Sequence, residues 1–520
     1  VKLVIVHYHL RPGGIRRVVE LATPALVKQF GNIDAVTLAC GEAPDQNWNQ
    51  NFARLIQPAR LEWLVAPAFG YFSEQSKPPA VIQAELAAAL AQLLAGATAT
   101  NCLVWAHNLG IGRNLLLTRE LTHACAERGV PLISHHHDWW FDNRWPRWPE
   151  IRRSGFRSLA AVARTTFPTG PNIRQVGINH EEAALLKRHY LTAAAWLPNP
   201  AARQPPPAPK KVRAARQWLD QTLAEVAAPV WMVPCRLLRR KNLAEALLLT
   251  RWLRPEAWLV TTGGASSADE QAYFDQLTRA ARQHHWRLRL GVLQGDEKQK
   301  PTVPELLAAS EAVLLTSIQE GFGLPYVEAA AAGRPLIARN LPNVAPDLKK
   351  FGFRFPQAYD EIRIATGLFD WKAERARQRT MFARWRRILP PAARRLGAPP
   401  ALLTSRTPPE AIPFSRLTLT AQLEVLAQPP ADSWKRCAPL NPFLPIWQSR
   451  AAAGKLLVTP WPQTAAQLLS GETYARHFVR LARPHPVSGN GAHPLALQTA
   501  LLGKKLCAAN SYPLLWATET

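Results

Sequence analysis

Through the first two thirds of the chain, short apolar runs alternate with longer stretches in which apolar residues recur every three or four positions. The short runs predict strands at 3–7, 35–39, 102–106, 131–134, 173–178 and 195–197. The periodic stretches predict helices at 15–30, 80–94, 114–128 and 181–189. Such alternation argues for a parallel sheet with helical crossovers, an α/β fold. The rhythm stops at Gln204-Pro205-Pro206-Pro207-Ala208-Pro209-Lys210-Lys211, a stiff proline run that suits a linker. It then restarts, with strands expected at 230–234, 258–262, 288–292, 312–316 and 335–339 and helices at 243–252, 270–283, 303–310 and 325–332. The expected organisation is a first α/β domain over 1–200, a linker over 201–211, a second α/β domain over 212–389, and a C-terminal extension over 390–520. Twelve prolines between 390 and 445 break the pattern in that extension, where 414–428 alone stands out as helical.

The chain has 520 residues, 47% of them hydrophobic and 19% charged, which excludes a wholly disordered protein. Its net charge is +26, and 351–520 contribute half of that excess with 22 basic and 9 acidic residues. Such a balance favours phosphates, anionic lipid or nucleic acid as partners without choosing among them. Six scattered cysteines form no C-x-x-C pair and read as reduced core residues. The uncharged stretch 86–105 is broken by Gln92, Gly96, Thr98, Thr100 and Asn101, so it reads as helix, turn and strand, not as a membrane span. The chain opens directly into an apolar strand with no leader pattern. The expected compartment is the cytoplasm, with peripheral contact at the inner membrane face left open.

The stretch most informative for chemistry is Ser317-Ile318-Gln319-Glu320-Gly321-Phe322-Gly323-Leu324-Pro325-Tyr326-Val327-Glu328-Ala329. It follows an apolar strand, loops through two glycines and enters a helix whose first turn accepts proline. The loop therefore aims backbone N–H groups and the positive helix end at an anion. Glu320 and Glu328 bracket that loop, and carboxylates accept hydrogen bonds from sugar hydroxyls. A second element is Arg236-Leu237-Leu238-Arg239-Arg240-Lys241-Asn242, at the end of the first strand of the second domain. Arg236 and Lys241 would supply counter-charge, while Arg239 and Arg240 read as ordinary solvated residues. A third is Gly13-Gly14, between the first strand and first helix, where a backbone could approach a ligand closely. A fourth, His135-His136-His137-Asp138-Trp139-Trp140, ends another strand of the first domain. Adjacent strand residues point to opposite faces, so its three histidines do not readily ligate one ion.

The paired glutamates in Glu-Gly-Phe-Gly-Leu-Pro-x-x-Glu-Ala resemble the signature of retaining glycosyltransferases with two Rossmann-like domains facing a cleft, the GT-B fold, and specifically family 4. The resemblance spans about 1–389. It implies a nucleotide-diphosphate sugar as donor, bound mainly by the second domain. It implies a hydroxyl acceptor, saccharide, lipid-linked or small, bound mainly by the first. Glu320 would contact the donor sugar and Glu328 the ribose. Arg236, Lys241, the Gly13-Gly14 loop and the backbone of Gly321, Phe322, Gly323 and Leu324 would face the diphosphate. His136 would contact the sugar, with the register uncertain by one residue. Asp138, Trp139, Trp140, Arg144, His107 and Asn108 would line the acceptor side. The family's chemistry implies no metal and no cofactor. The arginine-rich run 374–395 reads as a packed helix with a charged outer face, or as a contact for an anionic membrane; no nucleic-acid motif accompanies the charge. The alternative reading is a non-catalytic protein of the same fold that binds sugar nucleotides or polyanions.

Overall fold

The computed structural model describes residues 1–142, 145–203, 205–265, 268–295, 300–483 and 493–516. The chain divides into two compact units, the first made of 1–202, 387–397 and 466–507, the second of 203–386, 398–465 and 508–520. Each is built on one parallel sheet.

In the first unit the strands are β1 (Lys2–Val6), β2 (Ala35–Cys40), β3 (Arg60–Val65), β4 (Cys102–His107), β5 (Leu132–His136), β6 (Ile173–Gly177) and β7 (Ala194–Trp196). They lie in the order β3-β2-β1-β4-β5-β6-β7. Helices such as Gly14–Phe30, Pro79–Leu93 and Leu115–Glu127 make the crossovers. A parallel strand covered on both faces needs apolar residues at every position. The sequences KLVIV and AVTLAC, buried almost throughout, meet that need. β3 escaped the sequence reading because Arg60 and Glu62 interrupt its apolar run, as suits a half-exposed edge strand.

The second unit repeats the plan. Its strands are β8 (Val230–Val233), β9 (Trp258–Thr261), β10 (Leu288–Arg289), β11 (Ala312–Leu315), β12 (Leu336–Arg339) and β13 (Gln357–Tyr359). Their order is β10-β9-β8-β11-β12-β13, with a separate antiparallel pair of β14 (Arg363–Ala365) and β15 (Ala411–Pro413). In both sheets the winding reverses beside the first strand, between β1 and β4 and between β8 and β11. Doubly wound sheets bind ligands outside the carboxyl ends of the strands at that reversal. Two Rossmann-like units, as expected, are therefore present.

The domain limits differ from the sequence reading in two respects. The linker is shorter, because the helix Pro209–Leu223 starts inside it on a proline, which costs nothing at a first helical turn. The segment 390–520 is not a separate extension. Helices Leu419–Ala427, Pro430–Cys437 and Leu444–Ala452 pack on Leu243–Leu253 and complete the core of the second unit. Helix Gly471–Ala482 packs on Gly14–Phe30 and places Tyr474, Ala475 and Phe478 in the core of the first. Gly471 allows this approach, since a Cβ there would lie 3.1 Å from Ala25 Cβ and from the Leu21 carbonyl oxygen. The prolines of 390–445 space short helices with only the three-residue β15 among them, so the α/β rhythm had little signal to give.

Candidate active site

The second unit gathers charge at its winding reversal. β8 ends at Val233, and Arg236 follows, exposed, beside Gly263 at the end of β9. A Cβ on Gly263 would stand 3.0 Å from Arg236 Cα, so glycine lets the two loops close. The chain then turns through Arg239–Lys241 into Asn242, whose φ of 49° lies in the left-handed region that asparagine tolerates. The loop after β11 is tied to this turn: Thr316 Oγ1 donates to the Lys241 and Asn242 carbonyls at 2.9 and 3.0 Å, and the Ile318 N–H donates to the Arg240 carbonyl at 2.8 Å.

That tie brings three charges together. Lys241 Nζ donates to Glu320 Oε1 at 2.5 Å, and Arg240 Nη1 donates to Glu320 Oε2 at 2.7 Å and to the Gln319 carbonyl at 2.8 Å. Lys241 and Glu320 are both buried. Burial alone would raise the Glu320 pKa, but the Arg240 and Lys241 charges and the hydrogen bonds from Lys241 and Ser317 pull it down to about 2. Asn343 Nδ2 fixes the same residue by donating to the Glu320 carbonyl at 2.7 Å. Arg240 is therefore a partner of the buried carboxylate and not the solvated residue expected from sequence. Arg240, Ser317 and Asn343 were missed, because no spacing rule links 240, 317 and 343 until the strands align.

Gly323 caps the helix Leu324–Ala331 with φ 85°. A Cβ there would meet Val344 Cγ1 at 2.6 Å, so both conformation and space require glycine. Pro325 sits in the first turn, as expected. Phe322 is buried and packs against Phe351, with ring centroids 6.2 Å apart, which leaves only its backbone to face a ligand. Gly321 and Leu324 are half-buried, and Glu328 lies exposed on the helix.

The first unit presents a different edge. Gly13 and Gly14 open the helix Gly14–Phe30 and are exposed. Gly13 has φ 164°, extended backbone open to any residue, and a Cβ there would meet only the Arg11 carbonyl oxygen at 3.8 Å. Glycine at 13 is thus not demanded by the fold. His136 is sealed: its Nε2 is 2.7 Å from Gln175 Oε1, its ring stacks on Trp139 at 4.5 Å, and it is fully buried. This departs from the expectation that it contacts a donor sugar. A register shift by one residue moves the contact to His135, which is fully buried, or to His137, which is buried to the same degree as Lys241 and Glu320.

The expected acceptor floor is likewise core. Trp139 and Trp140 are fully buried, and Trp140 packs on Trp145 and Trp148 with centroids 5.4 and 5.7 Å away. An aromatic loop dense in arginine reads like a sugar platform in sequence, yet these indoles fill the space under it. Asn108, at φ 60°, is a clamp whose Oδ1 accepts from the His137 and Asp138 N–H groups, both at 2.9 Å. Asp138 is half-buried, His107 is fully buried, and Arg144 lies outside the described residues.

Three imidazoles do converge, because His107 on β4 adds to His135 and His137, which share a face two residues apart. One nitrogen of each lies within 4.8 Å of the others. His107 Nδ1 is 3.0 Å from His137 Nε2. Both nitrogens of His135 are engaged: Nδ1 accepts from Trp105 Nε1–H at 3.3 Å, and Nε2 is 3.2 Å from the Leu197 carbonyl oxygen. A neutral imidazole offers one donor and one acceptor, so His135 keeps no lone pair for an ion in this arrangement. Burial depresses the whole group: His7 and His135 fall to about 3, His136 to about 4, and His107 and His137 well below the usual value.

Comparison with known proteins fits the second unit best. Residues 218–358 match the family described as Glycosyl transferases group 1. That span runs from the helix before β8 to β13 and contains Arg236, Arg240, Lys241, Glu320 and Glu328. The mannosylglucosyl-3-phosphoglycerate synthase of Petrotoga mobilis is 24% identical over 358 residues, covering 67% of this chain and 66% of its own. The chain thus spans just under two thirds of that relative. Among solved structures, Anabaena HepE in complex with UDP-glucose is 16% identical, covering 66% of this chain and 82% of its own, with a TM-score of 0.46. A Rickettsia africae glycosyltransferase is 11% identical, covering 92% of this chain and 97% of its own, with a TM-score of 0.47. The resemblance to GT-B glycosyltransferases therefore rests on the group 1 match together with two sheets of Rossmann-like order.

Proposed function

We propose that this chain is a retaining, metal-independent glycosyltransferase that moves a hexose from a nucleotide-diphosphate sugar to a hydroxyl acceptor. The observation that carries the reading is the Arg240–Glu320–Lys241 cluster at the β8/β11 reversal, next to a glycine-capped helix and inside the group 1 match. Arg236, Lys241 and the backbone of 321–324 act as counter-charge to the diphosphate, a role that otherwise falls to a divalent ion. Glu320 accepts hydrogen bonds from the sugar hydroxyls, and its low pKa keeps it ionised at neutral pH. Glu328, exposed farther along the helix, accepts from the ribose.

In the reaction the bond between C1 and the diphosphate oxygen breaks, and its electron pair leaves on the diphosphate. The acceptor oxygen bonds C1 on the same face, and its proton passes to the departing diphosphate. No side chain serves as a dedicated base. His136 has no part in this scheme, because its ring is closed off by Gln175 and Trp139.

The test is incubation of the full chain with UDP-, GDP- and ADP-sugars, with and without EDTA. The expected results are release of one nucleoside diphosphate that EDTA does not abolish, and transfer products with the donor's anomeric configuration by NMR. Nucleotide binding without release under any acceptor would favour a non-catalytic binding protein. Loss with EDTA and rescue by manganese or magnesium would overturn the metal-free scheme.

A further inference from the structure

The first unit holds a cleft of about 280 Å3 at the carboxyl ends of β1, β2 and β3, none of whose residues belongs to the sequence-expected acceptor set. It is small among ligand pockets, which start at roughly 300 Å3, a size that suits a single sugar ring. Its floor is bare backbone. A Cβ on Gly41 would lie 2.5 Å from the Gly70 nitrogen and 3.0 Å from the Tyr8 carbonyl oxygen, so the wall closes only with glycine at 41.

One side of the cleft is aromatic. The Tyr8 and His9 rings lie 5.3 and 5.1 Å from the Tyr71 ring, and His9 Nε2 is 2.8 Å from the Tyr71 hydroxyl. Arg113 braces Tyr71 from 4.4 Å. The other side is charged, with carboxylates in excess. Arg11 is held two-pronged by Glu42 at 2.5 and 2.8 Å and approaches Glu74 at 3.8 Å. Lys77 is bonded to Glu85. Two cations thus face three carboxylates, in a chain whose net charge is +26.

That balance decides the ligand class. An anionic group needs cations in excess, as at the second unit's edge where Arg240 and Lys241 share Glu320, and here the carboxylates outnumber the cations. Polyols need the reverse: carboxylate oxygens to accept from hydroxyls and an apolar wall for the C–H face of the ring. The geometry points to this cleft as the acceptor subsite, binding a neutral saccharide rather than a phosphorylated or carboxylated one. The inference rests on the proposed transferase activity, with the first unit as its acceptor half.

The experiment uses the full chain and two probes, methyl α-D-glucopyranoside and inorganic phosphate, with binding read by saturation-transfer NMR. Nucleoside diphosphate affinity, measured in parallel by calorimetry, separates this inference from the donor-site reading. The expected result is binding of the glucoside, weakened at least fivefold in both Glu74→Gln and Tyr71→Ala, with nucleoside diphosphate affinity unchanged. Glu74 is exposed, so Glu74→Gln keeps the test valid should loss of the Tyr71 ring disturb the fold. Glucoside binding that both variants leave intact, or no glucoside binding, overturns the inference. Phosphate binding that is lost in Lys77→Ala overturns it in favour of an anionic acceptor. Loss of nucleoside diphosphate binding in the unaltered chain would instead strike at the donor-site reading.

Discussion

The two winding reversals occupy equivalent places in sheets of the same strand order, yet their chemistry is opposite. At β8/β11 a lysine and a glutamate are buried as a pair, and the carboxylate stays ionised because Lys241 and Arg240 both donate to it. At β1/β4/β5 five histidines are buried and neutral, because the groups beside them are mostly other imidazoles and apolar rings. Topology thus fixes where a ligand can sit, while the loop residues fix whether the place attracts charge. The charged edge suits a diphosphate. The neutral edge suits packing, and in the first unit the polar chemistry moves along the sheet to β1–β3.

The largest effect expected concerns what closes each sheet. Truncation after residue 465 removes Tyr474, Phe478, Leu497, Leu501 and Leu502 from the first unit, all at most 2% exposed. At about 2 kcal/mol per buried large side chain, the loss is about 10 kcal/mol, comparable to the ~5–15 kcal/mol that holds a whole domain. The expected outcome is loss of amide protection in β1, β4 and β5 by hydrogen exchange, with β8, β11 and β12 retaining more of theirs. Equal protection in both sheets would show that the returning C-terminal helices are dispensable. By the same packing, removal of all of 390–520 would also open the second unit, since Leu419, Val425 and Leu426 belong to its core.

A smaller effect is expected at the charged edge. Glu320→Gln leaves Lys241 buried with a neutral partner, and breaking a buried pair costs about 3–5 kcal/mol where nothing relaxes. Turnover of the nucleotide sugar should fall at least 100-fold, about 2.7 kcal/mol in the barrier. Lys241→Ala should instead reduce nucleoside diphosphate affinity about tenfold or more, as read by calorimetry. Should both substitutions lower turnover and affinity alike, the division of sugar and diphosphate contacts between Glu320 and Lys241 is wrong.

What could be read from sequence follows a physical divide. Parallel strands buried on both faces announce themselves as apolar runs, so β1, β2, β4 and β11 were legible. So was the Glu320–Glu328 loop, since glycine at 323 and proline at 325 mark a helix start. Edge strand β3 was not, because a half-exposed strand carries charges. The tryptophans of 139–148 misled because an indole offers the same letter to a sugar or to a core, and only burial distinguishes the two. The β1–β3 cleft was invisible: Tyr8, Gly41 and Tyr71 come together through strand order alone. Arg240 shows the limit on the charged side, since a row of three cations does not say which of them faces a carboxylate.

The subtlest contrast between the two edges is their response to acid. A histidine whose folded pKa lies near 3 or 4 binds fewer protons folded than unfolded at any pH between that value and about 6.5. Its contribution to stability is therefore complete above about pH 6.5 and is lost as the pH falls towards 4. Each such histidine costs about 1.4 kcal/mol per pH unit in that window. Facing them are His9, Tyr474 and, beside His136, Glu182, which offsets burial only in part. Glu320, held near 2, stays ionised throughout the same window, and its contribution begins to fade only below its unfolded value of 4.5. Lowering the pH from about 7 to 5.5 should therefore weaken the first unit by several kcal/mol and leave the charged edge of the second intact. Hydrogen exchange in β4 and β5 against β8 and β11, corrected for the intrinsic pH dependence, measures the difference. Replacing His107 and His137 by phenylalanine should reduce the response of the first unit without abolishing it, since His7, His135 and His136 remain. If its acid sensitivity is unchanged in that variant, the imidazole row is not its source.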